Sequence, residues 1–490
     1  MGRDGQDVQV LVAVTATDFP SGLRSLFDDL RADLDRSALS PSALGVIALE
    51  NSISADARGQ SVAAVQELAN DGVEALHVDR GHRRAAIAET RHALTCEIAR
   101  WAGRGRRAAV YWMIDDDLRL ETLRLDAGGQ LRSGTEGYLR GWLSHGRAGR
   151  IDLGVGSVTG DPPIRPEMMI LCQVSDLLAN LSTLLALPPL SLYEPYPTGI
   201  FDLPDYYYDL TDHGDRHLSG SAPWLPESTS GTSVRDQLLA LLDAGKDLPH
   251  GRAVTRPVVD NRAAVDPGAD LRRGGNAAFF TLDACLSHPY PTLTVAGTML
   301  RRSDMVGAAL LRRSGFGVRR VPVAIRHRRT CGQHESRFGR RSAPDVWDSI
   351  TAEFFGVLVA RLVMDPSAED ALPRVTRLSN GRSTRLTANL RRAAGTLDQL
   401  RDLVRDPPGW ARDDAEVRHA LAGFAEAIDA VSVVVGGWSD AAREEWLTAL
   451  REHLTRPEHL SQTVCQVERA EYDARRQRAE ALAALGGQAP

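Results

Sequence analysis

The chemistry-bearing stretch of this 490-residue chain is Tyr111-Trp112-Met113-Ile114-Asp115-Asp116-Asp117, where an apolar run ends in three consecutive carboxylates. An apolar run of that length reads as a buried strand, and three like charges at its tip repel one another unless a cation sits among them. Magnesium or manganese suits such a tip, because either ion accepts one or two carboxylates and keeps its other positions for water and phosphate. A solvated, inert acidic strand exit accounts for the triplet by itself equally well. The surroundings decide between the two.

Other polar clusters have looser spacing. Gly154-Val155-Gly156-Ser157-Val158-Thr159-Gly160-Asp161-Pro162-Pro163 reads as a glycine-rich loop soon after the carboxylate strand. Glycines permit close backbone approach to a ligand, and Asp161 is a candidate to hydrogen-bond it. Gly160-Asp161-Pro162 fits a plain tight turn as well. Tyr206-Tyr207-Tyr208-Asp209 and Trp224 lie in a Pro-rich, acidic stretch, where such rings either stack on sugars or anchor a long loop to the core. Asp212, His213, Asp215 and His217 follow no standard metal-ligand spacing and read as loop polar groups.

Composition narrows the chemistry further. Lys246 is the only lysine, and its setting, Asp243-Ala244-Gly245-Lys246-Asp247, is neither a Walker-A loop nor a protein-kinase site. Cys96, Cys172, Cys285, Cys331 and Cys465 lie far apart with no Cys-x-x-Cys pair, the pattern of reduced thiols in a cytoplasmic protein. A net charge of -6 gives no reason to expect nucleic acid or anionic lipid as the main partner. With 43% hydrophobic and 25% charged residues, no signal-peptide core and no convincing membrane span, the chain reads as a soluble globular protein.

The elements that must position the carboxylates alternate. Val8 to Val14 and Leu44 to Leu49 read as buried strands, ending in Thr15-Ala16-Thr17-Asp18 and Glu50-Asn51-Ser52, with a helix from Leu23 to Leu34 between them. A helix around Ser61 to Asn70, a short strand Ala75 to Val78 and a helix from about Ala85 to Trp101 then feed the strand Ala108 to Ile114. This βαβαβαβ order predicts an α/β fold, a mostly parallel sheet with helices on both faces whose ligands bind beyond the carboxyl ends of the strands. A helix at about Cys172 to Leu185 follows, then an irregular insertion over 195–270 broken by one helix near Val234 to Leu242. Sheet-like pattern returns at Gly274 to Phe280, and Val318 to Ile325 is the last strand. From about Pro344 the periodicity is helical: Leu386, Leu390, Ala393, Leu397, Leu400 and Val404 form the stripe of one packed helix. Further helices are read near Asp414 to Val433, Asp440 to His453 and Glu458 to Leu485.

Taken in order, these elements resemble the Rossmann-like type-A fold of nucleotide-sugar glycosyltransferases, most closely the inverting, family-2-like branch, over about Val8 to Arg329. The resemblance implies a nucleoside-diphosphate sugar donor, Mn2+ or Mg2+ as cofactor, and an acceptor the sequence does not identify. It puts nucleoside contacts on Thr15, Thr17 and Asp18 after the first strand and on Glu50 at the end of the second. Glu89-Thr90-Arg91-His92 resembles the family's Ala-Arg-Asn helix signature, with Arg91 in the donor site and histidine where asparagine is usual. The Asp-x-Asp motif falls on Asp115 and Asp117: Asp117 binds the metal, Asp115 faces the ribose or a metal-bound water, and Asp116 points away and is expendable. The general base of inverting transfer falls on Asp304, at a helix start where the family often has Glu-Asp and this chain has Ser303-Asp304. Either residue also suits a plain helix N-cap. Asp161 falls where the fold brings donor sugar and acceptor together, as a sugar-hydroxyl contact, and Gly275 and Asn276 fall on the acceptor-facing segment. His327, in Arg326-His327-Arg328-Arg329 at the end of the last strand, falls on the slot that completes the metal shell. A basic, solvated strand exit is the other reading of that run.

The expected division is a glycosyltransferase-like α/β domain over 1–335, its donor half to about 150 and its acceptor half beyond, followed by an α-helical region over 336–490. Those C-terminal helices leave homo-oligomerisation open. Two rivals stand beside a glycosyltransferase. A sugar-1-phosphate nucleotidyltransferase is disfavoured because Thr15-Ala16-Thr17-Asp18-Phe19-Pro20 lacks the Gly-rich, basic loop of that class. A non-catalytic interaction protein with a degenerate catalytic half is favoured by the missing second carboxylate at Ser303-Asp304 and by His92.

Overall fold

The structure is a computed structural model that describes residues 8–81, 85–147, 151–162, 166–194, 221–227, 232–260, 277–287, 301–329 and 371–436, with short pieces at 290, 292, 294–295, 298–299, 356, 359–360, 363–364, 444–445, 448, 452 and 476. Apolar runs of the first quarter become four parallel strands: β1 (Val10–Ala16), β2 (Leu44–Glu50), β3 (Glu74–Val78) and β4 (Val110–Asp115). β1 and β2 are buried along their whole length, as strands of a sheet covered on both faces must be. The helices between them are α1 (Pro20–Ser37), α2 (Ala55–Asn70) and α3 (Ile87–Gly103). α1 opens on Pro20, where the missing N–H is one of the unpaired donors of a helix start, and buries Leu23, Leu26, Phe27, Leu30 and Leu34 at three- and four-residue steps.

The chain continues through β5 (Leu118–Arg119), the hairpin β6 (Thr122–Leu125) and β7 (Leu131–Gly134), α4 (Tyr138–Arg147), β8 (Leu153–Gly160), α5 (Pro166–Ala186) and α6 (Val234–Gly245). After β9 (Ala278–Phe280) come α7 (Leu282–Ser287), the small pair β10 (Thr294–Val295) and β11 (Thr298–Met299), α8 (Ser303–Arg313) and β12 (Val318–His327). The helical region follows as α9 (Ala371–Arg405), α10 (Trp410–Asp413) and α11 (Ala415–Gly436).

One eight-stranded sheet runs β3-β2-β1-β4-β9-β8-β12-β5. β9 is antiparallel to both its neighbours and β5 to β12, so the other six strands share one direction. Strand alternation splits the core in two. Val10, Val12 and Val14 point to the face covered by α1, α2 and α4, and Leu11 and Ala13 to the face covered by α3, α7 and α8. The mostly parallel α/β sheet with helices on both faces, followed by an α-helical region, is therefore the architecture of this chain.

One expectation is corrected here. Gly154 to Gly160 is no loop but β8, an inner strand of the sheet. Its glycines make room for large neighbours: a Cβ on Gly154 would lie 2.0 Å from the Phe279 ring, and one on Gly156 would lie 2.5 Å from the Val323 carbonyl. Glycine here answers crowding, and only Gly160, at φ 80°, takes a backbone conformation that favours it. Pro322 in β12 sits where the pairing with β8 breaks between Arg320 and Ala324, a place that tolerates a missing N–H.

α5 is, among the described residues, the helix long and apolar enough to cross a membrane by length and composition. Its apolar side is occupied: Leu177, Leu181 and Leu184 share a core with α6, α9 and α11. Its polar side is a ladder that ties down two irregular segments. Gln173 Oε1 accepts from the Val254 and Thr255 amides at 2.7 and 3.0 Å. Asp176 accepts from the Ala222 amide at 2.7 Å and twice from the Arg256 guanidinium at 3.0 and 2.7 Å. Asn180 accepts from the Trp224 amide at 2.6 Å. The helices expected over 440–453 and 458–485 fall largely outside the described residues.

Candidate active site

Chain geometry brings the two ends of the site together. Only three residue steps, a reach of about 10 Å, separate Asp115 at the end of β4 from Leu118 at the start of β5. Yet β9, β8 and β12 stand between those strands in the sheet, about 19 Å of lateral spacing if it were flat. The strand tips therefore curl around the carboxylate triplet. β5 pairs His327 with Leu118 and Arg326 with Arg119, and the Arg328 amide donates to the Asp117 carbonyl at 2.9 Å. The Arg119 guanidinium fastens β5 from outside, donating twice to Asp29 of α1 at 2.7 and 2.9 Å.

This pairing puts His327 Nε2 3.0 Å from Asp117 Oδ2, across 210 residues of sequence. The His327 ring is buried, and its Nδ1 lies 2.7 Å from the Asp161 carbonyl. A carbonyl only accepts, so Nδ1 carries the proton and Nε2 is turned to Asp117. Burial works against a charged ring, but the Asp117 carboxylate lifts the His327 pKa above its ordinary value. Asp161, the candidate sugar contact, is itself buried. Its carboxylate accepts from the Ala253 amide at 2.7 Å and the Arg329 amide at 2.8 Å, and its own amide donates to the His327 carbonyl at 2.9 Å.

The remaining carboxylates of the triplet face elsewhere. Asp115 is met by Arg91 Nη2 at 3.2 Å, and the Arg91 guanidinium lies over the Tyr290 ring, 5.6 Å from its centre. Burial penalises the Arg91 charge, yet Asp115, Tyr290 and Asp304 together carry its pKa above the usual value. Asp304, in the first turn of α8, is thus within electrostatic reach of the same guanidinium. Two residues before it, at the N-cap of α8, stands Arg302, a non-glycine residue at φ 71°. Burial raises the Asp115 pKa, with Arg91 pulling it down and Asp117 pushing it up again. Asp116 does point away, but it is not idle. It is 4% exposed, and its Oδ2 accepts from the Thr17 amide and hydroxyl, both at 2.7 Å. Burial drives its carboxyl well above the usual range, with the Asp117 charge adding to the shift.

At the tips of β1 and β2 the expected nucleoside residues are mostly engaged with protein. Thr15 lies in register with Asp115, and Thr17 donates to Asp116 as above. Asp18 Oδ1 accepts from the Ile53 and Ser54 amides, both at 2.9 Å. Glu50 is buried, with Oε1 accepting from the Ser52 amide at 2.9 Å and Oε2 3.1 Å from His77 Nε2. Burial opposes its ionisation, but the His77 and Ser52 bonds hold its pKa below the ordinary glutamate value. Beside it opens a cavity of about 460 Å3, walled by Glu50 and Asn51 from the β2 tip, Arg80, and Glu89, His92 and Cys96 of α3. That volume lies within the range of small-molecule sites. Gly275, Asn276, Tyr206 to Asp209, and the Asp212 to His217 group lie outside the described residues. Trp224 is buried in the helical core.

Two partners had no distinguishing mark in the sequence. Tyr290 under Arg91 and His77 beside Glu50 are ordinary residue types in runs without a motif, and only tertiary contact reveals them. Arg329 belongs to the basic run noted at the last strand, but its place behind Asp161 is visible only in the structure.

The donor set at the β4 tip fits a divalent cation. Asp117 offers a carboxylate and His327 an imidazole nitrogen whose partner nitrogen is already tied, the arrangement metal-ligating histidines use. Among the described residues no three His, Cys, Asp or Glu side chains form a closed cage. Two protein ligands suit an ion that takes its remaining oxygens from substrate phosphates.

No protein-family model matches this chain, and no curated protein matches it. Solved structures similar to it include the mannosyltransferase PcManGT from Pyrobaculum calidifontis in complex with GDP-Man and Mn2+. That protein is 13% identical, with 88% of each chain covered and a TM-score of 0.32. At that score the likeness carries no functional argument.

Proposed function

We propose that the protein is a metal-dependent glycosyltransferase that moves a sugar from a nucleoside-diphosphate donor to an acceptor nucleophile. The observation that carries this reading is the Asp117–His327 pair at the curled strand tips, with the Glu50 cavity two strands away. Thr15 of β1 pairs with Asp115, and Ala16 with Glu50, so the β2 and β4 tips stand about 10 Å apart. A nucleoside in the cavity therefore has its phosphates within reach of Asp117.

In this reading Asp117 and His327 hold Mn2+ or Mg2+, which when bound neutralises charge on the diphosphate leaving group. Arg91 orients Asp115 and keeps one positive charge at the same tip. Asp304, facing that charge from α8, accepts the proton of the attacking acceptor hydroxyl, as inversion at the anomeric carbon requires.

Isothermal titration with uridine and guanosine diphosphates, with and without Mn2+, tests the donor half. Binding that Mn2+ strengthens and Asp117→Ala abolishes is expected. No binding at millimolar nucleotide, or binding indifferent to both changes, sinks the proposal. Asp304→Asn is expected to stop transfer and spare donor binding. Turnover that survives it places the base elsewhere or makes the reaction retaining.

A further inference from the structure

We infer that Asp161 is the positioning residue of this site, a clasp that fixes the ring of His327 so that Nε2 faces Asp117. The inference rests on the cation-binding role proposed above for that pair. Four hydrogen bonds build the clasp. The Asp161 amide donates to the His327 carbonyl at 2.9 Å, and the His327 ring returns a bond from Nδ1 to the Asp161 carbonyl at 2.7 Å. The Asp161 carboxylate then grips the strand exit, accepting from the Arg329 amide at 2.8 Å and, on the other side, from the Ala253 amide at 2.7 Å.

The carboxylate is what sets the direction of the carbonyl. The Asp161 carbonyl lies in the peptide plane shared with Pro162, and a residue before proline is held to extended backbone. With both Asp161 side-chain oxygens engaged and the following Pro162 carbonyl held by Arg329, that plane has one orientation, and its carbonyl points at Nδ1. Arg329 closes the clasp from behind. Its guanidinium is buried and donates to the Gly251 carbonyl at 2.5 Å and the Pro162 carbonyl at 2.8 Å, which holds its own amide in place under Asp161. An imidazole whose Nδ1 is committed to a carbonyl presents Nε2 in one orientation, and loss of such an outer partner costs about 10–100-fold in metal affinity.

The full chain labelled with 15N-histidine provides a readout without metal. A solvent-protected Nδ1–H resonance, assigned by its disappearance in His327→Gln, is expected in the native protein. Asp161→Ala is expected to lose that resonance and to weaken Mn2+ binding, read by electron paramagnetic resonance, by about 10–100-fold. Asp161→Asn, which keeps one acceptor oxygen, falls between. Asp33→Ala is the matched control: it removes a buried carboxylate that also accepts from two backbone amides, Tyr138 and Leu139, away from the site. It is expected to leave both readouts unchanged.

A resonance that persists in Asp161→Ala with unaltered Mn2+ affinity overturns the inference, as does an equal loss of affinity in Asp33→Ala. A native protein that binds no Mn2+ but shows the Asp161-dependent resonance refutes the cation reading and upholds the clasp.

Discussion

Asp116 gives the sharpest stability prediction, because its neighbours in the triplet suggest a ligand while its contacts say otherwise. Its Oδ2 takes two bonds of 2.7 Å from Thr17, one from the amide and one from the hydroxyl, and the side chain is 4% exposed. Replacing it by alanine strands a partly buried backbone donor, at about 1–3 kcal/mol, and forfeits a second hydrogen bond of about 1 kcal/mol. Together that is about 2–4 kcal/mol. Asparagine keeps an acceptor oxygen in the same place and is expected to cost less than about 1 kcal/mol. Urea unfolding followed by tryptophan fluorescence reads the difference. Trp112 lies on β4, just before the triplet, fully buried, with its ring 5.5 Å from that of Trp142. With a slope of about 3 kcal/mol per molar urea, the alanine midpoint falls by about 1 M. If alanine moves the midpoint no further than asparagine does, the Thr17 bonds carry nothing and Asp116 is expendable after all.

Other perturbations separate similar alternatives. Glu50 has a folded pKa depressed by His77 and Ser52, so its stabilisation is present above about pH 4.3 and is lost as pH falls through the folded value. Glu50→Gln is expected to flatten the acid side of the stability profile, and an unchanged profile refutes the His77 bond. Gly156→Ala is expected to destabilise by about 1–3 kcal/mol in calorimetry, because its Cβ meets the Val323 carbonyl and the Trp142 ring. A neutral substitution there removes crowding as the reason for glycine in β8. Asp176→Ala leaves the Arg256 charge buried and is expected to cost about 3–5 kcal/mol, most of it recovered by the double variant Asp176→Leu with Arg256→Met. If the double variant is as unstable as the single one, the loss comes from the Ala222 and Thr255 bonds rather than from the ion pair.

Much of the scaffold is legible in the sequence where burial is complete. β1, β2 and β4 are continuous apolar runs because both faces of the sheet are covered, and α1 and α9 carry their stripes at helical spacing. β8 is misread because its glycines are chosen by the side chains of other strands, Phe279 above all, which no local pattern records. β9 falls within the sheet-like stretch read at Gly274 to Phe280, whereas β5 is two residues long, too short for alternation to register. The site divides in the same way. Asp115, Asp117 and His327 draw notice through residue type at strand ends, whereas the partners of Asp161 in the clasp are backbone amides and a ring that no sequence pattern ties to it. Glu50 draws notice too, but its engagement with His77 depends on the β2–β3 pairing, which aligns Ala48 with His77.

The β5–β12 pairing has a consequence for how the molecule assembles. Two residues of β5 find their partners about 200 positions later, so the ladder closes a very long loop and gains almost nothing until the intervening strands are in place. β12 must first dock on β8, which is itself held against β4 through the three residues of β9. The Asp117–His327 contact is accordingly among the last to form. During refolding from urea, burial of the β1–β4 core should precede formation of the Asp117–His327 contact, and a chain arrested before β12 should carry a nearly complete β1–β4 core without that contact.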